Sequence, residues 1–76
     1  MTSAAKCGKL ANGAEVISFG PSREDGSKVV LAEYNGMYVT WRAVCRPDSD
    51  IYDCYWGKYH SNLYKAVDCF VERVHS

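Results

Sequence analysis

The dipeptide Asn35-Gly36 separates two runs of β-branched and aromatic residues, Lys28 to Tyr34 and Met37 to Arg46. Both residues tolerate the positive φ angles that the centre of a type I′ turn requires, so the sequence predicts a two-residue β-hairpin. A hairpin this short fixes the pairing register and places Val30 opposite Trp41. We therefore expect two antiparallel strands with one almost purely apolar face and one mixed face.

A second hairpin is predicted around residues 47–50, because Pro-Asp-Ser-Asp is typical of a turn and another aromatic run, Ile51 to His60, follows it. A four-residue turn would place Trp56 beside Trp41 on the apolar face. The outward residues of this third strand would then be Ile51, Asp53, Tyr55, Gly57 and Tyr59, with Tyr59 beside Tyr38.

The C-terminal segment has the strongest periodic pattern in the chain, and either Ser61 or Asn62 can cap a helix at its start. Apolar residues recur there at helical spacing along one side, which predicts an amphipathic helix. They are Leu63, Ala66, Val67, Phe70, Val71 and Val74. One apolar stripe needs one apolar surface, and we expect the helix to pack on the face of Val30, Trp41 and Trp56.

A weaker strand is predicted over Ala14 to Phe19, where apolar and polar residues alternate. The predicted fold class is therefore α+β: a three- to four-stranded antiparallel sheet in ββββα order, with one C-terminal amphipathic helix packed on one face. A chain of 76 residues suffices for one small domain. We expect a flexible N-terminal arm over residues 1–13 and a single α+β domain over residues 14–76.

The four cysteines, Cys7, Cys45, Cys54 and Cys69, contain no C-x₂-C pair, so no metal site is predicted. Because the N-terminus lacks the apolar run of a signal peptide, we expect a cytoplasmic protein with four free thiols. No stretch approaches the ~18 apolar residues of a membrane span, so no membrane partner is expected.

Catalytic chemistry is not expected from this sequence. Cys54 and His60 form the nearest Cys–His pair, but along one strand they would lie about 20 Å apart. Neither a Walker pattern nor a G-x-G-x-x-G motif occurs. We therefore predict a chain that is not an enzyme, with no catalytic residue and no cofactor.

The outward face of the predicted sheet combines tyrosine and arginine, which are enriched at protein interfaces because they bring large contact area at low entropic cost. The predicted partner-binding residues are Tyr38, Arg42, Tyr55, Tyr59, Arg46 and Asp53. The alternative is that tyrosine stacks on arginine across strands only to stabilise a solvated sheet. Nine Lys plus Arg balance nine Asp plus Glu, which disfavours nucleic acid as a partner.

Three segments, Tyr38 to Arg42, Tyr55 to His60 and Leu63 to Arg73, together resemble a class of small bacterial and phage-encoded β-sheet-plus-helix proteins. The resemblance implies a sheet closed by a helix. Some phage proteins of this size and style, anti-CRISPR proteins among them, act by occupying a surface of a host defence complex.

The resulting hypothesis is a non-enzymatic protein-binding module, a small phage or mobile-element inhibitor that is anti-CRISPR-like in its action. Its partner would be another protein, from the host or a second copy of the chain. The alternatives are an accessory protein that contacts nucleic acid and a self-associating structural module, such as a homodimer.

Overall fold

The computed structural model describes residues 9–46 and 48–75 of the chain. Within them, five strands precede one helix, which confirms the α+β class and the C-terminal position of the helix. The elements are β1 (Lys9–Leu10), β2 (Glu15–Phe19), β3 (Lys28–Tyr34), β4 (Met37–Cys45), β5 (Ile51–His60) and α1 (Leu63–His75).

All five strands join one sheet in the order β1-β5-β4-β3-β2. β1 is parallel to β5, and the other neighbours are antiparallel, so the prediction of three to four antiparallel strands is wrong in number and in orientation. The two-residue strand β1 is too short to show a period in the sequence, and burial of Leu10 in the core holds it in place. Residues 9–13 of the predicted arm form β1 and the turn after it, whereas residues 1–8 lie outside the described residues.

The hairpin of β3 and β4 has the predicted register, with Val30 opposite Trp41. The turn residues Asn35 and Gly36 have φ angles of 52° and 78°, as a type I′ turn requires. The second hairpin begins in the register that the predicted four-residue turn requires, which places Cys45 opposite Tyr52.

The sheet curls into a half-barrel. Phe19 on β2 and Tyr52 on β5 are three strands apart in the sheet order, a separation of about 14 Å in a flat sheet. Their ring centres are 5.2 Å apart, which requires the two strands to approach each other across the concave face. That face is filled by buried side chains, namely Leu10, Val30, Ala32, Val39, Trp41, Ala43 and Tyr52.

Helix α1 packs on the opposite, convex face, so the predicted packing face is wrong. Cys69 Sγ lies 3.3 Å from Thr40 Oγ1, and Arg73 Nη1 donates hydrogen bonds of 3.0 Å to the carbonyl and the hydroxyl of Thr40. Thr40, Val29 and Leu31 are buried on this face. The physical reason is the curl, because the concave face buries its apolar side chains against one another and leaves the convex face to be covered.

The two ends of α1 are held by side-chain hydrogen bonds. Asn62 Oδ1 accepts from the backbone N–H groups of Tyr64 and Lys65, at 2.7 and 3.3 Å, which confirms the predicted N-cap. At the other end Arg23 Nη1 donates to the carbonyl oxygen of Arg73 at 3.3 Å. This second bond brings the loop after β2 to the C-terminal end of the helix.

Candidate functional site

A β-bulge in β5 changes which side chains face outward. Between the pairs Thr40–Lys58 and Arg42–Tyr55, β4 advances by two residues and β5 by three. Trp56 and Gly57 together therefore stand opposite the single residue Trp41, and Trp56 has a φ angle of 53°. Beyond the bulge the predicted register is wrong by one residue.

Gly57 accounts for the position of the bulge. A Cβ atom on this residue would stand 2.5 Å from the indole nitrogen of Trp41 and 2.8 Å from its Cδ1 atom. The strand can therefore pass over the buried indole only where it has no side chain. The prediction that Trp56 lies beside Trp41 on the apolar face is wrong, because the Trp56 side chain is 72% exposed to solvent.

The bulge brings Trp56 beside a cluster of side chains that are exposed or half-buried, apart from the buried Ser27, and we call this cluster the bulge surface. It surrounds a cavity of about 300 Å³ lined by Asp25, Ser27, Arg42, Val44, Tyr55 and Trp56. Tyr55 is 47% exposed, and its ring centre lies 6.2 Å from that of Trp56. The guanidinium carbon of Arg42 lies 5.7 Å from the Trp56 ring, within cation–π range.

The charged groups of this surface differ in how many of their hydrogen-bonding atoms have a partner. Asp25 accepts hydrogen bonds from the hydroxyl and the backbone N–H of Ser27, at 2.6 and 2.9 Å, and these bonds hold the pKa of its carboxyl below the usual value. Arg42 is half-buried, and within the described part of the chain its buried Nε atom has no hydrogen-bond partner. The one buried and unsatisfied charged group of the surface is therefore a cation.

A salt bridge borders the bulge surface. Arg46 donates through Nε and Nη2 to the same carboxylate oxygen of Asp53, at 2.9 and 2.7 Å. These hydrogen bonds lower the pKa of the Asp53 carboxyl. Asp53 pairs with Val44 across the strands, so the ion pair lies directly beside the cavity.

The predicted partner-binding residues separate into two groups. Arg42 and Tyr55 face each other in the bulge surface, and the pair Arg46–Asp53 lies at its border. Tyr38 lies four residues before Arg42 on β4, on the other side of the bulge, where it pairs with His60. Tyr59 pairs with Val39 instead of Tyr38, and its ring contacts Trp41 on the concave face, with the ring centres 6.1 Å apart.

Sequence reasoning missed Trp56, Val44, Asp25 and Ser27 as members of the bulge surface. The sequence offered one cue, the glycine that follows Trp56 inside an alternating strand, since such a glycine often marks a bulge. Asp25 and Ser27 lie in the loop before β3, and their approach to β5 depends on the tertiary fold.

A second exposed apolar surface runs along α1. Of the predicted stripe, Ala66 is buried, and Phe70 and Val74 are half-buried. The remaining three stripe residues are between 38% and 46% exposed, and they form one apolar strip with Tyr64, which is 82% exposed. They are Leu63, Val67 and Val71.

The cysteines do not match the prediction of four free thiols. Cys45 is disulfide-bonded, whereas Cys54 and Cys69 are free. The prediction rested on an assumed reducing compartment and is wrong at Cys45, while Cys7 lies outside the described residues. Burial raises the pKa of the Cys54 thiol. Within residues 9–46 and 48–75, no group of three or more His, Cys, Asp or Glu side chains could hold a metal ion.

Comparison with known proteins found no matching family model, no matching curated protein and no matching solved structure. Among the described residues, no helix has both the length and the apolar character needed to cross a membrane.

Proposed function

We propose that the chain is a protein-binding module whose contact site is the bulge surface. The observation that carries the proposal is Trp56, which is 72% exposed and held in a left-handed backbone conformation next to Arg42 and Tyr55. Tryptophan, tyrosine and arginine are the residues most enriched among interface hot spots. Their clustering around one cavity is the arrangement expected of a binding anchor.

The alternative reading, in which these rings only stabilise the sheet, accounts poorly for Trp56. A ring that is 72% exposed buries little area, so its contribution to folding is small. Its left-handed conformation costs roughly 1–2 kcal/mol, so it lowers the stability of the folded chain. A binding role explains why a large ring stands in a strained and exposed position.

The finer form of the proposal is inhibition of a host defence complex by occupancy of one of its surfaces. The resemblance of three sequence segments to small phage-encoded proteins supports this form. It predicts that the protein bound at Trp56 is a subunit of such a complex.

Site-specific photo-cross-linking tests the proposal in the cells that naturally express the chain. A benzophenone amino acid in place of Val44, an exposed residue that lines the cavity beside Trp56, is expected to give a discrete cross-linked protein. The same amino acid in place of Lys65, an exposed helix residue away from the bulge, serves as the matched control. Equal cross-linking from both positions would contradict the proposal.

A Trp56→Ala variant separates binding from folding. We expect its affinity for the partner identified by cross-linking to fall at least about 30-fold, as for a hot-spot residue. The free energy of unfolding should stay within about 1 kcal/mol of that of the unsubstituted chain. Retained capture together with a large loss of stability would mean that Trp56 supports the sheet and does not bind a partner.

A further inference from the structure

We propose that the bulge surface recognises a carboxylate that stands beside an aliphatic side chain, as in a protein segment where Asp or Glu alternates with Leu, Ile or Val. This inference rests on the proposed function and specifies the chemistry of the partner. It follows from the unsatisfied donor of Arg42, the engagement of the neighbouring carboxylates and the apolar walls of the cavity.

Arg42 is the group that requires a partner. Its Nε atom is buried and makes no hydrogen bond within the described residues, although the side chain lines the cavity. A buried donor of a charged group is costly to leave unpaired, and the π face of Trp56 at 5.7 Å replaces only part of its hydration. A carboxylate can satisfy a guanidinium through two parallel hydrogen bonds.

The protein's own carboxylates near Arg42 are held by other groups. Asp25 accepts two hydrogen bonds from Ser27, and Asp53 accepts two from Arg46. The positive charges of Arg42 and Arg23 both lower the pKa of the Asp25 carboxyl, so this one carboxylate interacts with two guanidinium groups. The surface therefore has room for a further negative charge at Arg42.

The cavity beside Arg42 selects an apolar neighbour for that charge. Val44, Tyr55 and Trp56 form its apolar walls, and its volume of about 300 Å³ accommodates an aliphatic side chain. Burying such a side chain against two rings adds hydrophobic contact to the ion pair. A carboxylate without an adjacent apolar group would pair with Arg42 but leave the apolar walls of the cavity without a contact.

The charge distribution favours a carboxylate over a phosphate. The chain has no net charge, so it has no long-range field with which to concentrate a polyanion. Asp25 lines the cavity and Asp53 borders it, and both would repel a nucleic-acid backbone more strongly than a single carboxylate.

Nuclear magnetic resonance titration of the ¹⁵N-labelled chain of 76 residues tests this inference. The probes are a capped five-residue peptide of alternating leucine and glutamate and the same peptide with glutamine in place of glutamate. We expect the glutamate peptide to shift the Arg42 Nε–H and Trp56 indole N–H signals and to bind about tenfold more tightly than the glutamine peptide.

Two variants identify the responsible arginine. Arg42→Gln should remove most of the preference for glutamate. Arg46→Gln, which removes an exposed arginine from the neighbouring salt bridge, should keep the preference within about twofold, because exposed ion pairs contribute little. The amide spectra of β3 and β4 report whether each variant is folded.

Three outcomes would overturn the inference: equal affinity for the two peptides, an unchanged preference in Arg42→Gln, or tighter binding of a short oligothymidylate that shifts the same two signals. The first of these, combined with a specific cross-link from position 44, would leave the proposed protein-binding function intact. Conversely, a glutamate preference without any cross-link would support the carboxylate site and remove the protein partner.

Discussion

Two adjacent residues, Trp56 and Gly57, determine the outward surface of β5. Trp56 takes up the left-handed conformation of the bulge, and Gly57 leaves the space that the Trp41 indole occupies. The strained Trp56 and the neighbouring Gly57, which has no side chain, therefore form the bulge together. Without it, the alternation of β5 would continue and place Tyr59 on the convex face.

Gly57 lacks a positive φ angle, so alanine suits its backbone, and the close approach of Trp41 is the main cost of the substitution. Gly57→Ala should lower the free energy of unfolding by about 1–3 kcal/mol, as overpacking does. Lys58→Ala, the neighbouring exposed position, should change it by less than about 0.5 kcal/mol. Chemical denaturation measures both, and equal values would place Trp41 away from β5.

At this scale the sequence predicted part of the site. Arg42 and Tyr55 follow from strand alternation, since the register is regular between the second turn and the bulge. The faces on which Trp56 and Tyr59 lie could not be predicted, because one extra residue moves every later side chain of the strand to the opposite face of the sheet. The alternation of apolar and polar residues does not reveal where a bulge interrupts a strand.

At the scale of the elements, α1 separates what periodicity can predict from what it cannot. The period identified the helix, and the two candidate caps Ser61 and Asn62 marked its start, because both signals depend on residues close in sequence. The packing face depends on which side of the sheet remains uncovered, and no residue of the helix encodes that. Ala66 is fully buried against the sheet while Val67, the next residue of the predicted stripe, is 38% exposed.

A matched pair of leucine substitutions tests this arrangement. Ala66→Leu should destabilise the chain by about 1–3 kcal/mol, because the added atoms have no space between helix and sheet. Val67→Leu should change stability by less than about 0.5 kcal/mol, because its side chain is partly in solvent. Thermal or chemical denaturation compares the two variants. A larger loss at position 67 would mean that the helix is rotated about its axis.

At the scale of the whole molecule, the curl of the sheet determines both the core and the site. It lets side chains from β2 and β5 meet across the concave face, so this face needs no helix to cover it. The helix then occupies the convex face and leaves the bulge surface beside its C-terminal end open. The sequence did not predict the curl, because it arises from contacts between residues such as Phe19 and Tyr52 that are far apart in the chain.

The Phe19–Tyr52 ring pair allows the curl of the sheet to be tested directly. Lys28 Nζ lies over both rings, at 5.3 and 5.9 Å from their centres, so the three side chains form one contact between strands that are not neighbours in the sheet. Leucine at each ring position keeps an apolar side chain while it removes the aromatic contact. The double-mutant cycle of Phe19→Leu and Tyr52→Leu should give a coupling energy of about 0.5–1.5 kcal/mol.

A second cycle, Phe19→Leu with Tyr55→Leu, provides the control. Tyr55 is also on β5 but lies opposite Arg42 on the convex face, so its substitution should be additive with that of Phe19 to within about 0.5 kcal/mol. Unfolding free energies from chemical denaturation of the single and double variants supply both cycles. If the Phe19–Tyr52 cycle were as additive as its control, the two strands would not meet in solution and the sheet would be flatter than the half-barrel described here.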